Sequence, residues 1–210
     1  KSIFLLAHLF EKILTEDNQG ELLIGNITKN QLLDSPFIKI NEEKNSLLFR
    51  AISIYDSLRI NTNKIKPLFH LAELKYKILA DFDGSKELYK KIVSSNNSEY
   101  YIPSIERIID IMISEGNLTE ALKYIETNKN IENKELNDLL TFKEVQILYY
   151  TNKLKILKTK MKMIINTTPQ NHIYYNDILN IKHDVLLFED DTNFQKYAQS
   201  MLKVYQNKRT

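Results

Sequence analysis

The side chains able to bind a metal or move a proton are few and scattered. Four histidines occur, His8, His70, His172 and His183. No two stand at the i, i+4 or H-E-x-x-H spacing that sets two imidazoles around an ion on one helical face. His183 and Asp184 are sequence neighbours and so point to different sides of a helix. Cysteine is absent, which removes thiolate zinc sites, iron–sulfur clusters, disulfides and a cysteine nucleophile together. Paired carboxylates stand at Glu42-Glu43 and Glu189-Asp190-Asp191. A glycosidase needs two such groups about 5–10 Å apart across a cleft, whereas these fall in charged turns or at a helix start, where negative charge favours the helix N-terminus. The four glycines are too dispersed for a phosphate cradle, and no G-x-G-x-x-G, P-loop or G-x-S-x-G run is present. The expectation is a protein that is not an enzyme, with no catalytic residue, no cofactor and no metal.

Lysines 153, 155, 158, 160 and 162 share one stretch with Leu154, Leu157, Met161 and Ile164. The apolar residues claim one helical face and the lysines spread over the rest, which reads first as a solvated face and second as a weak contact for an anion. No aromatic interleaving accompanies them, so single-stranded nucleic acid is not expected. The whole chain points the same way: 29 basic against 27 acidic side chains, a net charge of +2, lack the clustered excess of a nucleic-acid binder. The glycosylation patterns at Asn26, Asn96, Asn117 and Asn166 are what chance provides in a chain this rich in asparagine.

An apolar fraction of 43% with 27% charge is that of a folded chain, and 210 residues suffice for a substantial core. Only four Gly and four Pro argue against a sandwich or barrel with its many tight turns. No apolar run approaches the roughly 18 residues of a membrane span, so direct insertion is not expected. The opening Ile3-Phe4-Leu5-Leu6-Ala7 is broken by His8 and Glu11-Lys12, unlike a signal peptide. The chain starts at Lys1, so it reads as a fragment or processed form whose targeting segment could have been removed. The compartment stays open between cytoplasm and periplasm or cell envelope of a bacterium. Heavy use of Ile, Asn and Lys suggests an AT-rich genome.

The elements that must position any site are set by a recurring group of four positions. Leu48, Ala51, Tyr55 and Leu58 stand at offsets 0, 3, 7 and 10; the same offsets recur at Phe82, Ser85, Tyr89 and Ile92, at Leu118, Ala121, Ile125 and Asn128, at Leu154, Leu157, Met161 and Ile164, and at Phe194, Tyr197, Met201 and Val204. These offsets put four side chains on one helical face. Successive sets lie 34, 36, 36 and 40 residues apart, a repeat period. Each set comes after a polar turn and, before it, another apolar helical stretch at 66–80, 102–114, 136–150 and 173–188. Asn117 with Glu120 three residues on has the form of a helix N-cap with its reciprocal acid. Asn128 is expected at a frayed helix end.

With Leu71-Ala72, Ser85 and Tyr89, then Ile105, Ile108, Met112, Gly116, Ala121 and Ile125, residues 42–206 resemble the tetratricopeptide repeat family, and Asp34-Ser35-Pro36-Phe37 resembles the junction between repeats in bacterial cell-envelope members. The resemblance implies an all-α, right-handed solenoid of helix pairs, about ten or eleven helices. A single helix over 42–60 without a partner of its own precedes four pairs, and a degenerate pair plus linker fills 1–41, with helix expected at 2–14 and at 18–34; together they form one continuous domain. Leu157 and Tyr197 replace the small second-helix residue, which predicts looser or re-angled packing at the C-terminus.

In this family the first helices line a concave groove that receives a peptide or a partner helix. The resemblance therefore implies Phe69, Glu73, Tyr76, Glu106, Asp110, Ile113, Phe142, Gln146 and Tyr149 as groove lining, on a scaffold or adaptor for a protein partner. Glu73 and Asp110 stand against the Lys/Asn clamp for a C-terminal carboxylate used by the chaperone-binding branch. The alternative is a structural protein that stacks end to end; the polar ending Val204-Tyr205-Gln206-Asn207-Lys208 favours a capped monomer.

Overall fold

The structure, a computed structural model, describes residues 2–16, 30–62, 64–95, 99–129, 132–188 and 191–207. Among these the chain is all-helical, in a repeat-like arrangement of ten α-helices: α1 (Ser2–Glu16), α2 (Asn45–Thr62), α3 (Ile65–Lys77), α4 (Phe82–Ser94), α5 (Tyr101–Glu115), α6 (Leu118–Asn128), α7 (Lys134–Tyr150), α8 (Leu154–Thr167), α9 (Tyr175–Leu187) and α10 (Asp191–Tyr205). A short 3-10 turn, Glu42–Lys44, leads into α2. No helix among the described residues is long and apolar enough to cross a membrane.

The helix boundaries reflect local chemistry. Pro67 and Pro103 lie in the first turns of α3 and α5, where a missing N–H costs no intrahelical bond. Asp81 caps α4 by accepting from the Gly84 N–H at 2.9 Å, and Asn133 caps α7 by accepting from the Leu136 N–H at 3.0 Å. The reciprocal cap expected at Asn117 does not form: its side chain makes no cap bond to α6 and donates instead to Glu115 at 3.1 Å. Gly116 explains this. At φ +85° it takes the left-handed conformation that closes α5, and the Asn117 N–H returns to the Met112 carbonyl at 2.8 Å, which leaves Asn117 outside the extended geometry a cap requires. Asn128 ends α6 as expected, its amide donating to the Tyr124 carbonyl at 2.8 Å.

Two compact units make up the chain. One comprises residues 1–27 and 36–111, the other 28–35 and 112–210. In the first, α1 packs on α2, α2 on α3 and α3 on α4, so α2 has α1 as a partner where the sequence suggested none. Ala7, Phe10 and Leu14 of α1 and Leu48, Ala51 and Tyr55 of α2 are buried, and the two helices pack on each other. The segment after Pro36 returns to α3 through the Ile38 N–H on the Lys77 carbonyl (2.8 Å) and the Phe37 ring against Tyr76. In the second unit α7 is central, touched by α6, α8 and α10, while α9 packs on α8. The expected second helix over 18–34 lies partly outside the described residues; over 30–34 the chain is a turn, with Asn30 accepting from the Leu32 and Leu33 N–H groups at 3.0 Å.

The apolar stripes at the second helices are buried through Ala51, Ser85, Ala121 and Leu157, all fully inaccessible. In α10 the stripe differs by one position. Phe194, Ala198 and Tyr205 are buried, while Val204 is 55% exposed. The small buried residue of this last helix is therefore Ala198, while Tyr197 is half-buried, hydrogen-bonded with Tyr149 and stacked on Phe188 at 4.8 Å. Both registers begin at Phe194; the Tyr149 and Tyr150 rings, edge-on to Phe194 at 5.3 Å and against Tyr205 at 5.9 Å, select the second. Ala198→Leu should then cost about 1–3 kcal/mol by overpacking, and Val204→Lys no more than about 0.5 kcal/mol; urea denaturation of the two variants decides between the registers.

Candidate functional site

The nine residues expected to line a groove are mostly interior. Glu73, Tyr76, Asp110, Ile113, Phe142, Gln146 and Tyr149 are all buried, leaving Phe69 and Glu106 half-buried. The lining is corrected accordingly. α3 is flanked by α2 and α4, and α7 by α6, α8 and α10, so these first helices have little open face. Several of their polar groups are matched inside, although the Gln146 Oε1 is buried without a hydrogen-bond partner among the described residues. Gln146 donates to the Leu32 carbonyl, Tyr150 donates to that of Leu33 at 3.4 Å, and the Asn30 amide donates to the Asp177 carbonyl at 3.4 Å. Together these bonds fasten the turn at residues 30–33 to α7 and α9. The Tyr149 hydroxyl donates to Asp184 at 2.9 Å, and burial pushes its pKa upward, with Asp184 adding to the shift. Phe142 stacks on His172 at 4.6 Å, and Phe69 packs on Tyr100 at 4.7 Å. These contacts are structural chemistry.

The densest charge cluster belongs to Glu73. Its carboxylate accepts from the Tyr89 hydroxyl at 2.6 Å and Arg107 Nε at 2.9 Å, and it pairs with Lys77. Arg107 Nη1 donates onward to Asp110 at 2.8 Å. Burial alone would raise the Glu73 pKa, but Arg107 and Lys77 outweigh it and hold the group at about 2, from an ordinary 4.5. Burial likewise works against the Arg107 charge, and Glu73, Glu106 and Asp110 hold its pKa well up. The carboxylate has three donors and serves as an anchor between α3, α4 and α5, not as a base.

Two places keep unspent chemistry. In the second unit a cleft of about 400 Å³ lies between α8 and α9. Met161, Ile165 and Val185 lie against it, with Leu186 beside them, and Lys158, Lys162 and Lys182 stand exposed along it; among the described residues no acidic side chain lines it. Lys160, from the same basic stretch, points away to Glu144 of α7 at 2.8 Å. In the first unit His8 and Glu11 of α1 meet His70 of α3. Glu11 Oε2 lies 3.4 Å from His8 Nδ1 and 2.8 Å from His70 Nδ1, and it accepts from the Tyr55 hydroxyl at 2.7 Å. Sequence spacing could show that His8 and Glu11 share a face at i, i+3; it could not bring in a histidine 59 residues away. His172 and His183 join no such cluster among the described residues.

No family model matches the chain, and neither a curated protein nor a solved structure matches it.

The Glu73 anchor makes a stability prediction with a definite sign. A carboxyl at about 2 when folded and 4.5 when unfolded stabilises the fold fully above about pH 4.5, and this contribution, on the order of 3 kcal/mol, is lost as pH falls through about 2. Arg107→Ala removes the Nε donor of Glu73 and the Nη1 donor of Asp110 and should cost about 3–5 kcal/mol at neutral pH. The deficit should shrink toward acid as the two carboxyls protonate. Urea titrations of both proteins between neutral and acid pH check this, and a deficit below about 1 kcal/mol at neutral pH would contradict it.

Proposed function

We propose that the chain is a non-enzymatic binding module of tetratricopeptide type, a scaffold or adaptor whose cleft between α8 and α9 holds an acidic, amphipathic helix of a partner protein. The repeat reading draws support from sets spaced by 34 to 40 residues and from the fully buried small residues Ala51, Ser85 and Ala121 of the second helices. The observation that carries the binding reading is the cleft itself. Its apolar residues suit leucine-like side chains at i, i+3 and i+4 of a docked helix. Lys158 and Lys162, one turn apart on α8, and Lys182 on α9 complement carboxylates on that helix's flanks. Binding by the groove that family resemblance implies loses its basis, since seven of those nine residues are interior.

A second reading, self-association, has one observation in its favour: Leu5, Leu6, Leu9 and Ile13 of α1 are 38–63% exposed along one side of that helix, and exposed apolar clusters mark contact surfaces. Sedimentation velocity over a range of concentrations tests it. A monomer at all concentrations removes it, and a dimer dispersed by Leu9→Glu would establish it.

For the main reading, a labelled peptide of roughly 15 residues, with leucines at helical spacing and glutamates on both flanks, should bind in a fluorescence anisotropy titration and weaken as salt rises. Exchanging Lys158, Lys162 and Lys182 for Glu should weaken it by about tenfold or more, given about 0.2–1 kcal/mol per exposed pair plus the added repulsion. A peptide with lysines in place of glutamates should not bind. Equal binding of both peptides, or capture of anionic vesicles or single-stranded oligonucleotide in place of the peptide, would overturn the proposal.

A further inference from the structure

The geometry points to a zinc-class cation site built from His8, Glu11 and His70, lying across α1, α2 and α3 and separate from the α8/α9 cleft. Three donors converge there: two imidazole nitrogens and one carboxylate oxygen, all within 4.8 Å of one another. Bonds of about 2.0–2.1 Å to a tetrahedral ion set neighbouring donors roughly 3.4 Å apart. His8 Nδ1 and Glu11 Oε2 already stand at 3.4 Å. His70 Nδ1, at 2.8 Å from the same carboxylate oxygen, need withdraw only about half an ångström to match that spacing to Glu11.

The surroundings suit an ion as well. The Tyr55 hydroxyl of α2 donates to the same Glu11 oxygen at 2.7 Å and so holds the carboxylate in place, the part an outer-shell partner plays around a metal. The Tyr55 ring stacks on His70 at 5.4 Å, and Phe4 lies over His8 at 6.1 Å and edge-on to His70 at 5.5 Å, so both imidazoles are held by aromatic contacts. His8 remains 49% exposed while the Glu11 and His70 side chains are each 14% exposed: the site is anchored on its inner side and open on its outer one. Three protein ligands leave the fourth tetrahedral position to water. Two imidazoles select zinc and its neighbours over Mg²⁺ and Ca²⁺, which prefer oxygen donors. One carboxylate with two neutral imidazoles supplies a single negative charge, enough to favour a dication. A bound ion would clip α1 to α3 over Tyr55.

The full chain, stripped with a chelator, is titrated with Zn²⁺ by calorimetry and with Co²⁺ by absorption. One ion per chain and the visible bands of tetrahedral Co²⁺ are expected, with the melting temperature rising as zinc is added. His8→Ala changes an exposed position and should keep the helical circular dichroism while weakening zinc binding at least tenfold and abolishing the thermal shift. Glu11→Gln and His70→Asn should do the same, and Tyr55→Phe should lose about tenfold, as outer-shell partners do. His183→Ala should change nothing. Absence of saturable zinc binding at micromolar metal, or binding that survives His8→Ala unchanged, would overturn the site and leave the three residues a hydrogen-bonded cluster alone.

Discussion

Burying a helix on more than one side desolvates the polar groups it carries, and each must then find a partner inside or cost several kcal/mol. That constraint governs both units. α3 lies between α2 and α4, and Glu73 is stripped of water; the fold answers with Tyr89 from α4, Arg107 from α5 and Lys77 from its own helix. α7 has three helical neighbours, and Lys143, Glu144 and Gln146 are buried with it. Gln146 reaches the Leu32 carbonyl and Glu144 takes Lys160 and Lys129. A buried charge network of this kind is weak as net stabilisation but costly to break.

The same constraint separates what sequence could reveal from what it could not. Amphipathic period is a property of one helix, so the helices at 66–80, 102–114, 136–150 and 173–188 were legible to within a few residues of their ends. The caps were less legible: Asp81 and Asn133 cap α4 and α7, whereas the cap expected at Asn117 does not form. Facing is different, because it depends on how many neighbours a helix has. Glu73 and Gln146 look like surface residues in the sequence because they are polar, yet they are interior, with partners 34 and 114 residues away. The one-residue difference in α10 has a similar origin: Phe194 anchors either stripe, and only the rings of Tyr149 and Tyr150 from α7 decide between Tyr197 and Ala198.

Candidate sites suffered from the same blindness, in the opposite direction. Lysines along 153–162 were visible as a run, yet the run divides in three dimensions. Lys160 is spent on Glu144, whereas Lys158 and Lys162 face a cleft that needs α9 to exist. His8 and His70 carry no spacing signal at all, because a ligand set drawn from two helices has no fixed separation along the chain. The i, i+3 relation of His8 and Glu11 was the one trace of it on a single helix.

An interior that uses most of its own polar groups leaves few of them for a ligand. Side chains such as Arg107, Gln146 and Tyr149 cannot turn to a ligand without leaving a buried partner unsatisfied, a penalty of about 1–3 kcal/mol for a neutral group and more for a charged one. Recognition is thereby pushed to groups whose contacts are solvent-facing or easily exchanged. The exposed lysines of the α8/α9 cleft meet that condition, and so does the half-exposed His8, whose bond to Glu11 at 3.4 Å is long enough to surrender little. Both proposed sites rest on groups that packing leaves over. The helices that look most like a binding surface by their residue types are the ones already bound, to the rest of the protein.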